Sequence, residues 1–116
     1  MAARFKVYRD LLSLLKTKLP AAYPVSVRRV SLTAKLDGRC WKHGKQFHIQ
    51  ISKNLDEAKA IDVLIHEWAH ARAWNHRLDM AVDDEAFNKL AHDAVWGVAY
   101  AEVYSEYERH FTHKTY

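Results

Sequence analysis

Apolar positions recur along the chain with two different periods. Between residues 5 and 19 they fall at Val7, Tyr8, Leu11, Leu12, Leu14, Leu15 and Leu19, with basic residues on much of the opposite side. That spacing predicts an amphipathic helix packed on the body of the domain. Pro20 and Pro24 bracket a turn. Val25, Val27, Val30 and Leu32 alternate imperfectly and predict a strand with Arg28 and Arg29 outward or on an edge. Asp37-Gly38 is a turn signal, Cys40 and Trp41 fit a short second strand, and Lys42-His43-Gly44-Lys45 turns it back. Phe47, Ile49 and Ile51 then alternate strictly with His48, Gln50 and Ser52, which predicts a strand with His48 as a surface histidine on its polar face.

Asn54 and Glu57 resemble a capping pair, so a long helix is expected from residue 55 or 56 to about residue 75 or 76. Residues 77–91 are more polar and read as a loop with a short helix over 86–90. Asp93 is placed to cap a last helix from residue 94 to about 109, carrying Val95, Val98, Ala99, Val103 and Tyr107. From His110 onward the tail is expected to fray. The resulting expectation is an α+β fold in a single domain, 1–116. It comprises an N-terminal helix, a small, mostly antiparallel sheet of about three strands, a long central helix and a C-terminal helix.

The central helix carries the chemistry. His66, Glu67 and His70 form H-E-x-x-H, and on a helix residues four apart share a face, so both imidazoles can reach one metal ion. Glu67, next to the first ligand, can hold and deprotonate a water there. A shuffled chain of this composition contains the pattern roughly once in forty sequences, so its surroundings decide. Ile61, Leu64, Ile65, Trp68, Ala69, Ala71, Ala73 and Trp74 make the helix apolar on most sides. Two histidines and a glutamate are costly in such a setting unless something pairs with them. A metal ion meets that need.

Composition narrows the setting. Cys40 is the only cysteine, which excludes an intramolecular disulfide and a Cys-rich zinc site and fits a reducing cytoplasm. No segment approaches the roughly 20 apolar residues of a membrane span. Residues 11–15, followed by Lys16 and Lys18, are too short for a signal peptide. The net charge of +4 is unevenly spread. Residues 1–53 hold 12 Lys and Arg against Asp10 and Asp37, whereas residues 54–116 hold 6 against 12 Asp and Glu. Such asymmetry serves either complementarity within one fold or weak nucleic-acid binding through the basic half.

The segment Leu64-Ile65-His66-Glu67-Trp68-Ala69-His70-Ala71, followed by His92-Asp93-Ala94-Val95-Trp96-Gly97, resembles the SprT-like zinc metallopeptidase family and its small phage-type relatives. The resemblance covers residues 25–104. It implies a zincin-like fold, one Zn2+ per chain and a protein or peptide substrate. His66 and His70 would be the helix ligands, Glu67 the catalytic glutamate, His92 the third ligand and Trp96 a packing aromatic. Asp93 stands where many members have Gly, and the chain is expected to lack the further binding regions of larger members.

The residues themselves offer other third ligands. His76 lies six after His70, but Ala73 occupies the position where that pattern needs glycine. In a continuing helix, six residues turn the side chain about 240° away from His66 and His70. Asp83, Asp84 and Glu85 offer carboxylates, although three adjacent acids also suit a solvated helix start. At His92, by contrast, Asp93 can cap the next helix and Trp96 can pack one turn later.

A three-nitrogen zinc site leaves a fourth position for water. Peptide hydrolysis would then use Glu67 as general base, with Tyr100, Tyr104 or His76 as a further hydrogen-bond donor. The competing expectation is a structural-zinc or nucleic-acid-associated domain with little or no hydrolysis.

Overall fold

A computed structural model describes residues 5–112. Its elements are α1 (Lys6–Lys18), β1 (Val25–Val30), β2 (Gly38–His43), β3 (Gln46–Ser52), α2 (Glu57–Ala73), α3 (His76–Asp79), α4 (Asp84–Ala91) and α5 (Ala94–Phe111). The fold is α+β: five helices and one three-stranded sheet. Residues 113–116, the end of the expected frayed tail, lie outside the described residues. His110 and Phe111 still belong to α5.

The sheet corrects one expectation. Its order is β1-β3-β2, with β2 antiparallel and β1 parallel to β3, so it is mixed rather than mostly antiparallel. The β2–β3 hairpin is tight, closing at Gly44 with a left-handed φ of 61° that glycine adopts without strain. The loop after β1 instead carries the chain past the place that β3 later fills. β3 therefore enters between two strands that run in opposite directions, and must be parallel to one of them.

Register explains what each face does. Val25, Val27 and Arg29 lie opposite Phe47, Ile49 and Ile51, and on the other side of β3 stand Lys42, Cys40 and Gly38. This inner face packs on α2. Phe47, Ile49 and Ile51 are buried, and the latter two join Ala60, Ile61, Val63, Leu64, Ile65 and Trp68 of α2 in one core. Tyr8, Leu11 and Leu15 of α1 and Val103 of α5 complete it.

Arg29 thus lies on an edge strand, one of the two placements expected, with its side chain on the inner face rather than outward. It ends the inner row, where its Nε and Nη2 donate to the Ser52 carbonyl at 3.2 and 3.1 Å, and Nη2 also to that of Leu55 at 3.1 Å. Its guanidinium lies over the Phe5 ring, 4.6 Å from the centroid. Arg28, one residue earlier, is exposed.

Gly38 also differs from expectation. The turn falls earlier, at Ala34-Lys35, and Gly38 opens β2 opposite Ile51. A Cβ there would lie 2.4 Å from Val63 Cγ1 and 3.1 Å from the Gln50 carbonyl oxygen. Glycine lets the strand approach the helix.

The helix ends follow their caps. Asp56, not Asn54, caps α2 by accepting from the Lys59 N–H at 2.9 Å. The Glu57 carboxylate instead accepts from the Tyr8 N–H at 3.2 Å, tying α2 to α1. α2 stops at Ala73, short of the expected 75 or 76, because Asn75 caps α3 by accepting from the Arg77 N–H. The region expected to be mostly loop holds α3 and α4. Asp83 caps α4 by accepting from the Ala86 N–H, with Asp84 and Glu85 in its first turn, where acids suit the helix dipole. Asp93 caps α5 as expected, accepting from the Val95 and Trp96 N–H groups. No described helix is long and apolar enough to cross a membrane.

Candidate metal centre

Small residues bring α5 close to α2: Ala69 and Ala73 pack with Ala99, and Trp96 and Tyr100 lie against them. This contact places the α4–α5 junction over the histidine face of α2. There the Nε2 atoms of His66 and His70 stand 3.1 Å apart. His92 arrives as the C-cap of α4, and its Nδ1 lies 3.1 Å from the Asn88 carbonyl oxygen. A proton on Nδ1 satisfies that contact and leaves the Nε2 lone pair bare, as in metal-ligating histidines.

Ligand-capable atoms of His66, His70 and His92 all lie within 4.8 Å of one another. Tetrahedral zinc with nitrogens at about 2.0–2.1 Å sets them about 3.3 Å apart. The His66–His70 pair already matches. Exposed His92, at the mouth of the cluster, needs to close by no more than about 1–2 Å. The donor set therefore fits a divalent ion of borderline softness.

Trp96 is the wall of this cluster. Its ring lies 5.1, 5.4 and 5.3 Å from the rings of His66, His70 and His92, stacking on His70 at 29°. Its Nε1 donates a long hydrogen bond, 3.5 Å, to the His66 carbonyl. One side chain thus borders all three imidazoles.

Burial tunes the charges. It pushes the His70 imidazole down to about 3, aided by His66 and His92 and opposed by a hydrogen bond with the Ala91 backbone. His66 is lowered by burial and then by His92. Both rings are therefore neutral at pH 7, the form that ligates metals. Glu67 is 6% exposed. Burial raises its carboxyl to about 7, and no cation or donor among the described residues offsets the rise. A carboxyl poised there can gain or lose a proton near neutrality. Burial, and then the charge of Glu67, holds the Cys40 thiol above its ordinary range, so Cys40 is no thiolate nucleophile or ligand.

A groove of about 490 Å³ opens beside His66, lined by Lys59, Asp62, Val63, Tyr100 and Tyr104. Tyr100 lies against Trp96, and Tyr104 stacks on Tyr100 at 11°. Of the three expected donors, two line the groove. His76 is exposed at the start of α3 and outside the cluster, as are Asp83, Asp84 and Glu85. Lys59 and Asp62 were not anticipated, although they sit seven and four residues before His66, on the same helical stripe. A similar concavity over Trp68, lined by residues of the α1–β1 connection, carries none of the histidines.

Fold and site together define an α+β protein whose histidines 66, 70 and 92 lie close enough to hold a metal ion. No family model, curated protein or solved structure matches the chain. The SprT-like resemblance therefore rests on its own residues.

Proposed function

We propose that the protein is a single-domain zinc metallopeptidase of the SprT-like, zincin kind, hydrolysing peptide bonds with Glu67 as general base. The observation that carries this reading is the convergence of His92 on the H-E-x-x-H pair from a separate helix junction. His66, His70 and His92 would hold one Zn2+. When bound, zinc supplies Lewis acidity, which lowers the pKa of water and polarises a carbonyl. Glu67 takes the proton of the attacking water and returns it to the leaving amine, a cycle suited to a carboxyl raised to about 7. Tyr100, which lines the groove beside His66, would donate its hydroxyl to the oxygen on which charge develops. The peptide lies along this open groove, whose rim offers Lys59 and Asp62 to its polar groups. A cytoplasmic setting suits the single cysteine.

A structural-zinc role asks for a closed set of four ligands. The described residues group three around this point, with His92 exposed, which favours an open position. Replacing Glu67 by Gln tests the reading. Zinc content and hydrolysis of an unfolded protein such as casein are measured on one preparation. The variant is expected to keep about one zinc and lose hydrolysis. Hydrolysis near the wild-type rate would remove Glu67 from the mechanism, and a wild-type protein that holds zinc but cleaves no protein would be a structural-zinc domain.

A further inference from the structure

The stretch between α2 and α5 is short of support. α3 spans four residues and α4 eight, and helices shorter than about 12–15 residues are marginal in water unless something packs on them. Among the described residues α3 and α4 pack broadly only on each other, and neither does so on the sheet, α2 or α5. Yet α4 ends in His92, whose ring completes the histidine cluster.

The ties of this stretch to the body meet at one side chain. Trp74, the C-cap of α2, has its ring 5.8 Å from that of buried Phe47 on β3 and 5.4 Å from that of Phe87 on α4. Its Nε1 donates to Asp79 Oδ1 of α3 at 2.9 Å, and Asp79 Oδ2 pairs with Lys42 of β2 at 2.6 Å. Trp74 is thus a post fixed to the sheet, and Phe87 is the side chain by which α4 reaches it.

What Phe87 anchors is the turn that aims His92. Asn88, the next residue, supplies the carbonyl oxygen that lies 3.1 Å from His92 Nδ1. Ala91 stands one turn after Phe87 on the same helical face. It is buried, and its backbone hydrogen-bonds the His70 ring. Phe87 itself is no member of the histidine cluster. Without its ring on Trp74, an eight-residue helix has little to keep it wound, and both of these hydrogen bonds depend on its last turn.

We infer that Phe87 is a positioning residue for the metal site: docked on Trp74, it holds α4 folded and so delivers His92 to His66 and His70. The inference rests on His92 being the third ligand. Its test is zinc affinity by chelator competition in the wild type, Phe87→Ala, His92→Ala and the double variant. Phe87→Ala should weaken binding about tenfold, as loss of an outer-shell partner does. Phe87→Tyr, which keeps a ring, should recover most of it. In the His92→Ala background Phe87→Ala should cost no more than about twofold, because the ligand through which it acts is already gone. A second readout needs no metal. In metal-free Phe87→Ala the α4 amides should exchange with deuterium about tenfold faster than in the wild type, while those of α2 stay unchanged. If Phe87→Ala fails to fold, Phe87→Leu carries the same comparisons.

Zinc affinity of Phe87→Ala within about twofold of the wild type overturns the inference. So does an equal loss in both backgrounds, or α4 exchange that does not change. His92→Ala with wild-type zinc affinity would overturn the third-ligand reading and this inference together. A weakened His92→Ala beside an unaffected Phe87→Ala would overturn this inference alone.

Discussion

Replacing Gly38 with alanine would place a Cβ 2.4 Å from Val63 Cγ1 and 3.1 Å from the Gln50 carbonyl oxygen. Carbon atoms rest at about 3.5–4.0 Å, so the valine methyl would have to yield by more than about 1 Å. It has little room. Val63 is buried in the α2–sheet core, and a β-branched side chain is stiff at χ1. The Gln50 carbonyl belongs to the central strand. The backbone itself is no obstacle, since the left-handed glycine is Gly44 and not Gly38. The strain should therefore appear as β2 moving off α2, at the cost of about 1–3 kcal/mol typical of overpacking. For a domain of this size that lowers the melting temperature by about 4–12 °C.

The same point is 3.5 Å from Cγ of Glu67, so the shift also loosens the wall around the Glu67 carboxyl. Calorimetry should show the lower melting temperature, zinc affinity should hold within about twofold, and hydrolysis should fall. Adding Val63→Ala should return part of the lost stability, with a coupling of about 1 kcal/mol in the double-mutant cycle. An unchanged melting temperature in Gly38→Ala, or strict additivity with Val63→Ala, would refute this account of the strand–helix contact.

Three further outcomes follow from the site. Burial raises the Glu67 carboxyl from 4.5 to about 7, so folding retains a proton that the unfolded chain releases above pH 4.5, and stability from this group is lost as pH rises toward 7. Metal-free Glu67→Gln should then exceed the wild type by up to about 3 kcal/mol at pH 8 and differ little at pH 4. The lowered His66 and His70 act with the opposite sign, losing stability as pH falls, but are common to both proteins. Parallel pH profiles in urea titrations would contradict the argument. His92→Ala should weaken zinc binding by more than about a hundredfold in chelator competition, beyond the effect of losing an outer-shell partner. His76→Ala and Asp84→Ala/Glu85→Ala should leave it unchanged, and a loss confined to His76→Ala would displace His92 from the site. Trp96→Ala should weaken zinc binding by about tenfold through disordered ligands, with Trp96→Phe recovering most of it.

What could be read from the chain is what short-range chemistry decides. Phe47, Ile49 and Ile51 alternate because one face of β3 is buried, and Asp93 announces α5 because its carboxylate accepts two free N–H groups. His66 and His70 meet because helix geometry requires it. Strand order could not be read: alternation says which face a residue takes, but not which strand lies beside it. Arg29 is expected outward or on an edge; β1 is an edge strand, and only the facing stays open, since parity puts Arg29 on the inner face although its charge suggests the outer. The acidic run 83–85 suits a helix start, and Asp83 caps α4 with Asp84 and Glu85 in its first turn, although the helix begins two residues before the expected 86. α2 ended early because two caps, Asn75 and Asp83, restart the chain as separate short helices. His92 was legible in part, through the cap that follows it and the resemblance. The Asn88 carbonyl that leaves its Nε2 free appears only when α4 is folded.

The central claim, that histidines from two separate elements hold one catalytic zinc, is most directly tested by a zinc-loaded crystal structure measured at the zinc absorption edge. The account predicts one anomalous peak per chain at about 2.0–2.1 Å from a ring nitrogen of each of His66, His70 and His92, with a fourth position free of protein ligands. A peak that excludes His92, or a fourth protein ligand closing the coordination shell, would contradict it.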